Sequence, residues 1–167
     1  MPLAVTHVLL TIILIDIFRD YIIKNKRLIP LHFVFIGGIA GLLPDVDIPL
    51  FWLFDLLKFN VEWFHGTITH VLLIPVLILI ASLIAYKNNN KAGILLGIIA
   101  FGYFFHIFLD FLFYGLNISI FWPFFEVSFS GITNYINVPS LEMGLDAVIL
   151  LGWLWHEEKK HKISDFI

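Results

Sequence analysis

The sequence predicts an all-α, polytopic integral membrane protein. A single membrane-embedded domain over residues 1–167 would hold about five transmembrane helices, one of them short, and an interfacial or re-entrant helix. Three observations carry this expectation. Hydrophobic residues make up 60% of the chain and charged residues only 14%, about half the charged share of a soluble domain. The mean hydropathy is +0.94, and 18 phenylalanines make the apolar excess bulky and lipid-compatible. Finally, the apolar residues gather in long runs divided by short polar segments.

The first run, residues 2–23, lacks the basic start of a secretory signal and is followed by no A-x-A-like site, so it reads as a retained helix. Residues 30–43 form a second run that reaches only about 20 Å, against a hydrocarbon core of about 30 Å. The turn after it, Pro44-Asp45-Val46-Asp47, should therefore sit in a recess below the membrane surface. Residues 48–59 are apolar but interrupted by Asp55 and Lys58, which suits an interfacial or re-entrant helix better than a span. Residues 69–86 and 91–115 can each span, and KNNNK between them reads as a polar loop. Residues 115–139 form a long outer loop, and 140–156 form a last, slightly short span.

Lysine and arginine set the orientation. Arg19, Lys24, Lys26 and Arg27, then Lys87 and Lys91, then Lys159, Lys160 and Lys162 fall on one side of a five-span chain. Positive charge marks the cytoplasmic side. The expectation is a multi-pass cell-membrane protein with its N-terminus outside and its C-terminus cytoplasmic. The absence of cysteine excludes disulfides and thiolate metal sites. A net charge of -3 with no basic stripe argues against nucleic-acid binding.

With that topology, four histidines and three aspartates converge at one depth on the outer side: His7, Asp45, Asp47, His65, His70, His106 and Asp110. His106 and Asp110 are four apart, so they share a helix face. His65 and His70 cannot share one if both are helical; with Thr67 or Thr69 as a cap, His70 falls in the first helical turns. Asp45 and Asp47, framed by Pro44 and Pro49, read as an extended D-x-D turn whose side chains point the same way. Carboxylates inside a membrane are costly, about 2.5–3.5 kcal/mol each on insertion scales, and Lys58 is the sole basic residue on that side. A divalent ion held by Asp and neutral His removes the conflict. This donor set suits zinc foremost, with manganese or iron as alternatives. Seven candidate ligands exceed one tetrahedral set, so one ion or two bridged ions are both expected. Glu62, Glu142 and Asp146 are the candidate acid/base carboxylates; Glu142 and Asp146 could equally be helix-packing glue, and HxxxD by itself is a frequent chance pattern.

The order of motifs resembles the YdjM-like family of membrane-bound metal-dependent hydrolases over nearly the whole chain. VTHVLL matches a THxxxG-like segment, PDVDI a PDxDH-like turn and HGTITHV an HRGxTHS segment. FHIFLDFLF matches SHxxxDxxT, and Trp122-Pro123-Phe124 a following WPF. The resemblance implies hydrolysis, with a metal or catalytic role for His7, Asp45, Asp47, His65, His70, His106 and Asp110. Gly66 stands where the family has an arginine. If that arginine holds a substrate phosphate, Lys58 is the nearby basic substitute.

The functional expectation is a membrane-bound metal-dependent hydrolase acting on an ester or phosphoester at the extracytoplasmic face. A recessed site faces membrane lipids, so a lipid or lipid-linked substrate is expected. The rival is a metal-ion-binding transport or sensing protein without catalysis. Transport needs polar residues toward the cytoplasm, and the inner half of the third run offers only Ser82. A third possibility is a structural protein whose acids and histidines hydrogen-bond one another.

Overall fold

The apolar runs fold as helices, and the polar positions between them decide where each helix stops. In a computed structural model, residues 4–59, 69–114, 120–122, 124, 131–132 and 139–161 are described. They contain six α-helices and two short helical turns of other pitch, with no strand among the described residues. Helix α1, Ala4–Ile17, continues directly into π-helical Phe18–Ile23, so the first run is helical throughout. It stops at Lys24, whose left-handed φ of 54° turns its N–H back to the Arg19 carbonyl at 2.9 Å.

Helix α2 is Leu31–Ala40, shorter still than the run that predicts it, because Pro30 stays extended and Gly41 begins a turn. A 3₁₀ turn, Pro44–Val46, then leads into α3, Asp47–Leu56. The two arms bend by 53° at this break, which bears out a helix after the PDVD turn that leaves the direction of α2. The extended D-x-D geometry is corrected. Asp45 lies in the 3₁₀ turn and Asp47, at φ -62° and ψ -30°, opens a helix. Pro44 opens the 3₁₀ turn and Pro49 lies in the first turn of α3, where no intrahelical N–H bond is needed, and side chains two apart on a helix diverge.

Helix α3 ends in a Schellman motif without glycine. Lys58, at φ 59°, donates its N–H to the Asp55 carbonyl, and Phe59 donates to the Phe54 carbonyl, both at 2.9 Å. The Phe54 and Phe59 rings meet edge to face with centroids 6.2 Å apart, the apolar contact that accompanies such a cap.

Helix α4, Leu73–Asn88, starts later than its run, so His70 lies in the turn before it and not in its first turns. Pro75 sets that start: in a first turn it gives up no hydrogen bond. KNNNK is not a loop. Helix α5, Asn90–Tyr114, follows after the single extended residue Asn89. The Asn89 Oδ1 accepts from the N–H groups of Lys91 and Ala92 at 3.0 and 3.2 Å, capping α5 as asparagine does well. Gly93 lets the two helices touch, since a Cβ there would lie 2.5 Å from the Tyr86 Cα. Ser82 donates to the Gly93 carbonyl across the same contact at 2.7 Å. The last helix, α6, is Pro139–His161.

Helix α5 is the axis of the bundle and packs on α1, α2 and α4, while α6 packs on α1. Among the described helices, one, Asn90–Phe113, is long and apolar enough to cross a membrane by itself, with a mean hydropathy of 2.1. The bent pair from Leu31 to Leu56 is a second candidate, and α4 is apolar but shorter. The helical class is therefore as expected, and five separate crossings are not resolved. Small residues carry the α2–α5 contact, as they do between membrane helices. A Cβ on Gly102 would strike the Gly37 carbonyl and lie 3.1 Å from the Ala40 Cβ. Ile12, Ile15, Ile29, Phe33, Val34 and Ile98 fill one end of the bundle; Tyr103, Ile107 and Ile120 fill a second cluster. The outer face of α4 leaves Leu77, Ile80, Leu83 and Ile84 exposed, a surface suited to lipid.

Candidate metal centre

Five ionisable side chains from four segments meet beside the Gly102 contact. Helix α1 supplies His7, the 3₁₀ turn Asp45, the turn before α4 His70, and α5 both His106 and Asp110. His7 and His70 are 1% exposed, His106 0% and Asp110 3%. The Asp45 side chain is 18% exposed, so the cluster opens on the Asp45 side.

Two groups of donors share His106: His7, His106 and Asp110, and Asp45, His70 and His106. In each, the ligand atoms lie within 4.8 Å of one another. His106 Nε2 is 3.4 Å from Asp45 Oδ1 and 3.2 Å from Asp110 Oδ2. His70 Nε2 is 3.6 Å from Asp45 Oδ1 and 3.5 Å from Asp110 Oδ2. The other Asp110 oxygen, Oδ1, is 3.5 Å from His7 Nε2. Bond lengths of 2.0–2.2 Å around a tetrahedral ion put neighbouring donors about 3.3–3.6 Å apart, and these histidine-to-carboxylate separations lie near that spacing.

The histidine tautomers are set from outside. His106 Nδ1–H donates to the Gly41 carbonyl at 2.6 Å, which leaves the Nε2 lone pair facing the carboxylates. His70 Nδ1–H donates to Thr69 Oγ1 at 3.0 Å, while the Thr69 hydroxyl donates to Asp47 Oδ2 at 2.8 Å. Tyr103 fixes the same residue by donating to the Thr69 carbonyl at 2.5 Å. Ligating histidines are commonly oriented by such bonds. His7 stacks on His106 with ring centroids 4.0 Å apart and an interplanar angle of 26°, and Thr11 holds the His7 carbonyl at 2.6 Å.

The polar atoms left over test the fit of a cation. His106 Nε2, Asp45 Oδ1 and Asp110 Oδ1 are buried and make no hydrogen bond among the described residues. Neither Asp45 nor Asp110 has a Lys or Arg partner there. Leaving such groups unmatched is costly. Two carboxylates and neutral imidazoles carry two negative charges, the complement of a divalent ion, and the residues present fit one.

Asp47 is not brought into the donor groups found among the described residues. It is 1% exposed and turns to Thr69, because the helical backbone at 45–47 sends the two aspartates in different directions. Glu62, His65 and Gly66 lie outside the described residues, as do the side chains of Glu142 and Asp146, whose backbone belongs to the N-terminal half of α6. Thr69, Tyr103 and Gly41 escape the sequence reading as site residues. A carbonyl acceptor carries no residue-type signal, and the Tyr103 hydroxyl of α5 and the Asp47 carboxylate meet Thr69 only once the helices are packed.

No curated protein and no solved structure matches the chain. The family model described as YdjM inner membrane protein matches residues 1–164. This places the buried histidines and aspartates inside a known membrane-protein family: the chain belongs to the YdjM inner membrane protein family.

Proposed function

We propose that this membrane protein is a metal-dependent hydrolase whose centre is held by Asp45, His70, His106 and Asp110, with His7 and the second Asp110 oxygen available for a second ion. The observation that supports it most is the match between the 3.2–3.6 Å donor separations and a tetrahedral coordination shell. Zinc is the first choice for two imidazoles and two carboxylates, with manganese or iron as alternatives. A bound divalent ion supplies Lewis acidity toward a carbonyl or phosphoryl oxygen and acidifies water.

The chain does the rest. Gly41 and Thr69 hold His106 and His70 in the tautomer that offers Nε2 inward. Asp45, on the open side, orients whatever enters. A carboxylate outside the ligand set must take and return the proton, and Glu62, Glu142 and Asp146 are the candidates. Lys58, about 16 Å along α3 from Asp47, is placed for a headgroup charge and not for the reacting group. The exposed apolar residues that follow Asp45 in the chain, Val46 and Trp52 among them, favour an ester or phosphoester of a lipid or lipid-linked substrate. The basic segments favour a centre on the extracytoplasmic face, with the C-terminus in the cytoplasm.

The test is elemental analysis of the detergent-purified chain beside an Asp45→Ala, His106→Ala variant, followed by release of phosphate or fatty acid from defined lipids. The expected result is stoichiometric metal and turnover in the wild type and neither in the variant. Equal metal in both refutes the centre. Metal without turnover refutes the hydrolase and leaves the transport or sensing reading.

A further inference from the structure

At the other end of α1 lies a second cluster with a different composition. Asp16, about 13 Å along the helix from His7, is 3% exposed, and its neighbour Arg19 is 4% exposed. Arg19 Nη2 meets Asp16 Oδ1 at 2.6 Å, and its Nε–H donates to Asp20 Oδ1 at 2.8 Å. The guanidinium is thus engaged by two carboxylates. Asp16 Oδ2 is buried and has no hydrogen-bond partner among the described residues. Opposite it, α6 presents His156 and Glu157, and one donor atom from each of Asp16, His156 and Glu157 lies within 4.8 Å of the others. His156 Nδ1 is 3.6 Å from Glu157 Oε1, and its Nε2 is 3.3 Å from the Tyr21 hydroxyl oxygen.

A purely structural ion pair between Arg19 and its two aspartates explains one oxygen of Asp16 and leaves the other stranded. It also sets a second acid, Glu157, against Asp16, with the one guanidinium shared among three carboxylates. A cation removes both difficulties. The geometry points to a second divalent-cation site, formed by Asp16 of α1 with His156 and Glu157 of α6 and separate from the centre around His106. One imidazole and two carboxylates select a first-row transition ion such as manganese, zinc or iron over calcium. His156 and Glu157 side chains are 32% and 12% exposed, so the ion enters from water and its occupancy fastens α6 to α1. The site is independent of the hydrolase reading.

The test uses Mn²⁺ as the probe on the full chain in lipid nanodiscs, with free Mn²⁺ counted by electron paramagnetic resonance. A His70→Ala, His106→Ala variant, which lacks the first centre, is expected to keep one bound Mn²⁺. Adding Glu157→Gln weakens that binding at least about tenfold, since even loss of an outer-shell partner costs 10–100-fold. Unchanged number and affinity after Glu157→Gln overturns the site. Wild-type crystals soaked in Mn²⁺ give a check that needs no variant to fold. An anomalous peak between Asp16 and His156 supports the site, and its absence there overturns it.

Discussion

Gly102→Ala separates a metal centre built by helix packing from one built by its ligands alone. The added Cβ would strike the Gly37 carbonyl and approach the Ala40 Cβ to 3.1 Å and the Gly41 nitrogen to 3.2 Å. Carbon atoms rest at about 3.5–4.0 Å, and backbone has no rotamer by which to yield. Helices α2 and α5 must then part by about 0.5–1 Å. Gly41, at the end of α2, carries the carbonyl that holds His106 Nδ1–H at 2.6 Å, and that bond stretches to the edge of its useful range, about 3.2 Å. Overpacking costs about 1–3 kcal/mol of stability. The loosened imidazole costs about 10–100-fold in metal affinity, the usual penalty for losing an orienting partner. The assay is thermal unfolding together with zinc affinity by chelator competition in detergent. Gly152→Ala is the control, because nothing lies within 4 Å of a Cβ there. It should be neutral or stabilising by up to about 1 kcal/mol. Wild-type affinity in Gly102→Ala, or equal stability in the two variants, refutes the reasoning.

Thr69→Val removes the hydroxyl between Asp47 and His70 at nearly constant shape. It should weaken metal binding by about 10–100-fold, whereas Thr69→Ser retains it; equal affinities in all three proteins contradict the orienting role. Asn89→Ala deletes the cap on α5 and should cost about 1 kcal/mol in denaturant unfolding without changing metal affinity, so a change in affinity would show that the hairpin turn is coupled to the centre. Stripping metal with a chelator leaves Asp45 and Asp110 uncompensated and should lower the unfolding temperature, with recovery on adding zinc. By mass action, free zinc at about 100 times its dissociation constant contributes about 2.7 kcal/mol. An unfolding temperature that ignores both treatments argues against a bound ion.

Much of this was legible from residue order alone. Apolar runs mark helices because a chain in a low-dielectric medium must satisfy its own backbone, and α5 and α1 follow their runs closely. The gathering of His7, Asp45, His70, His106 and Asp110 follows from depth, since each stands in the half of its run, or in the turn beside it, that alternating spans bring to one side. Depth is one-dimensional, and what the sequence leaves open lies in the other two dimensions. It does not distinguish Asp45 from Asp47, which the helical turn at 44–47 sends apart, one to the histidines and one to Thr69. It does not show that Gly41 and Thr69 set the imidazole tautomers, because the Gly41 bond crosses between helices and the Thr69 hydroxyl is committed by Asp47 from another segment. Nor does it join Asp16 to His156, residues brought together only where α6 packs on α1. Hydrophobicity fixes which segments are helical and roughly how deep each residue lies; close packing at small residues fixes which side chains touch.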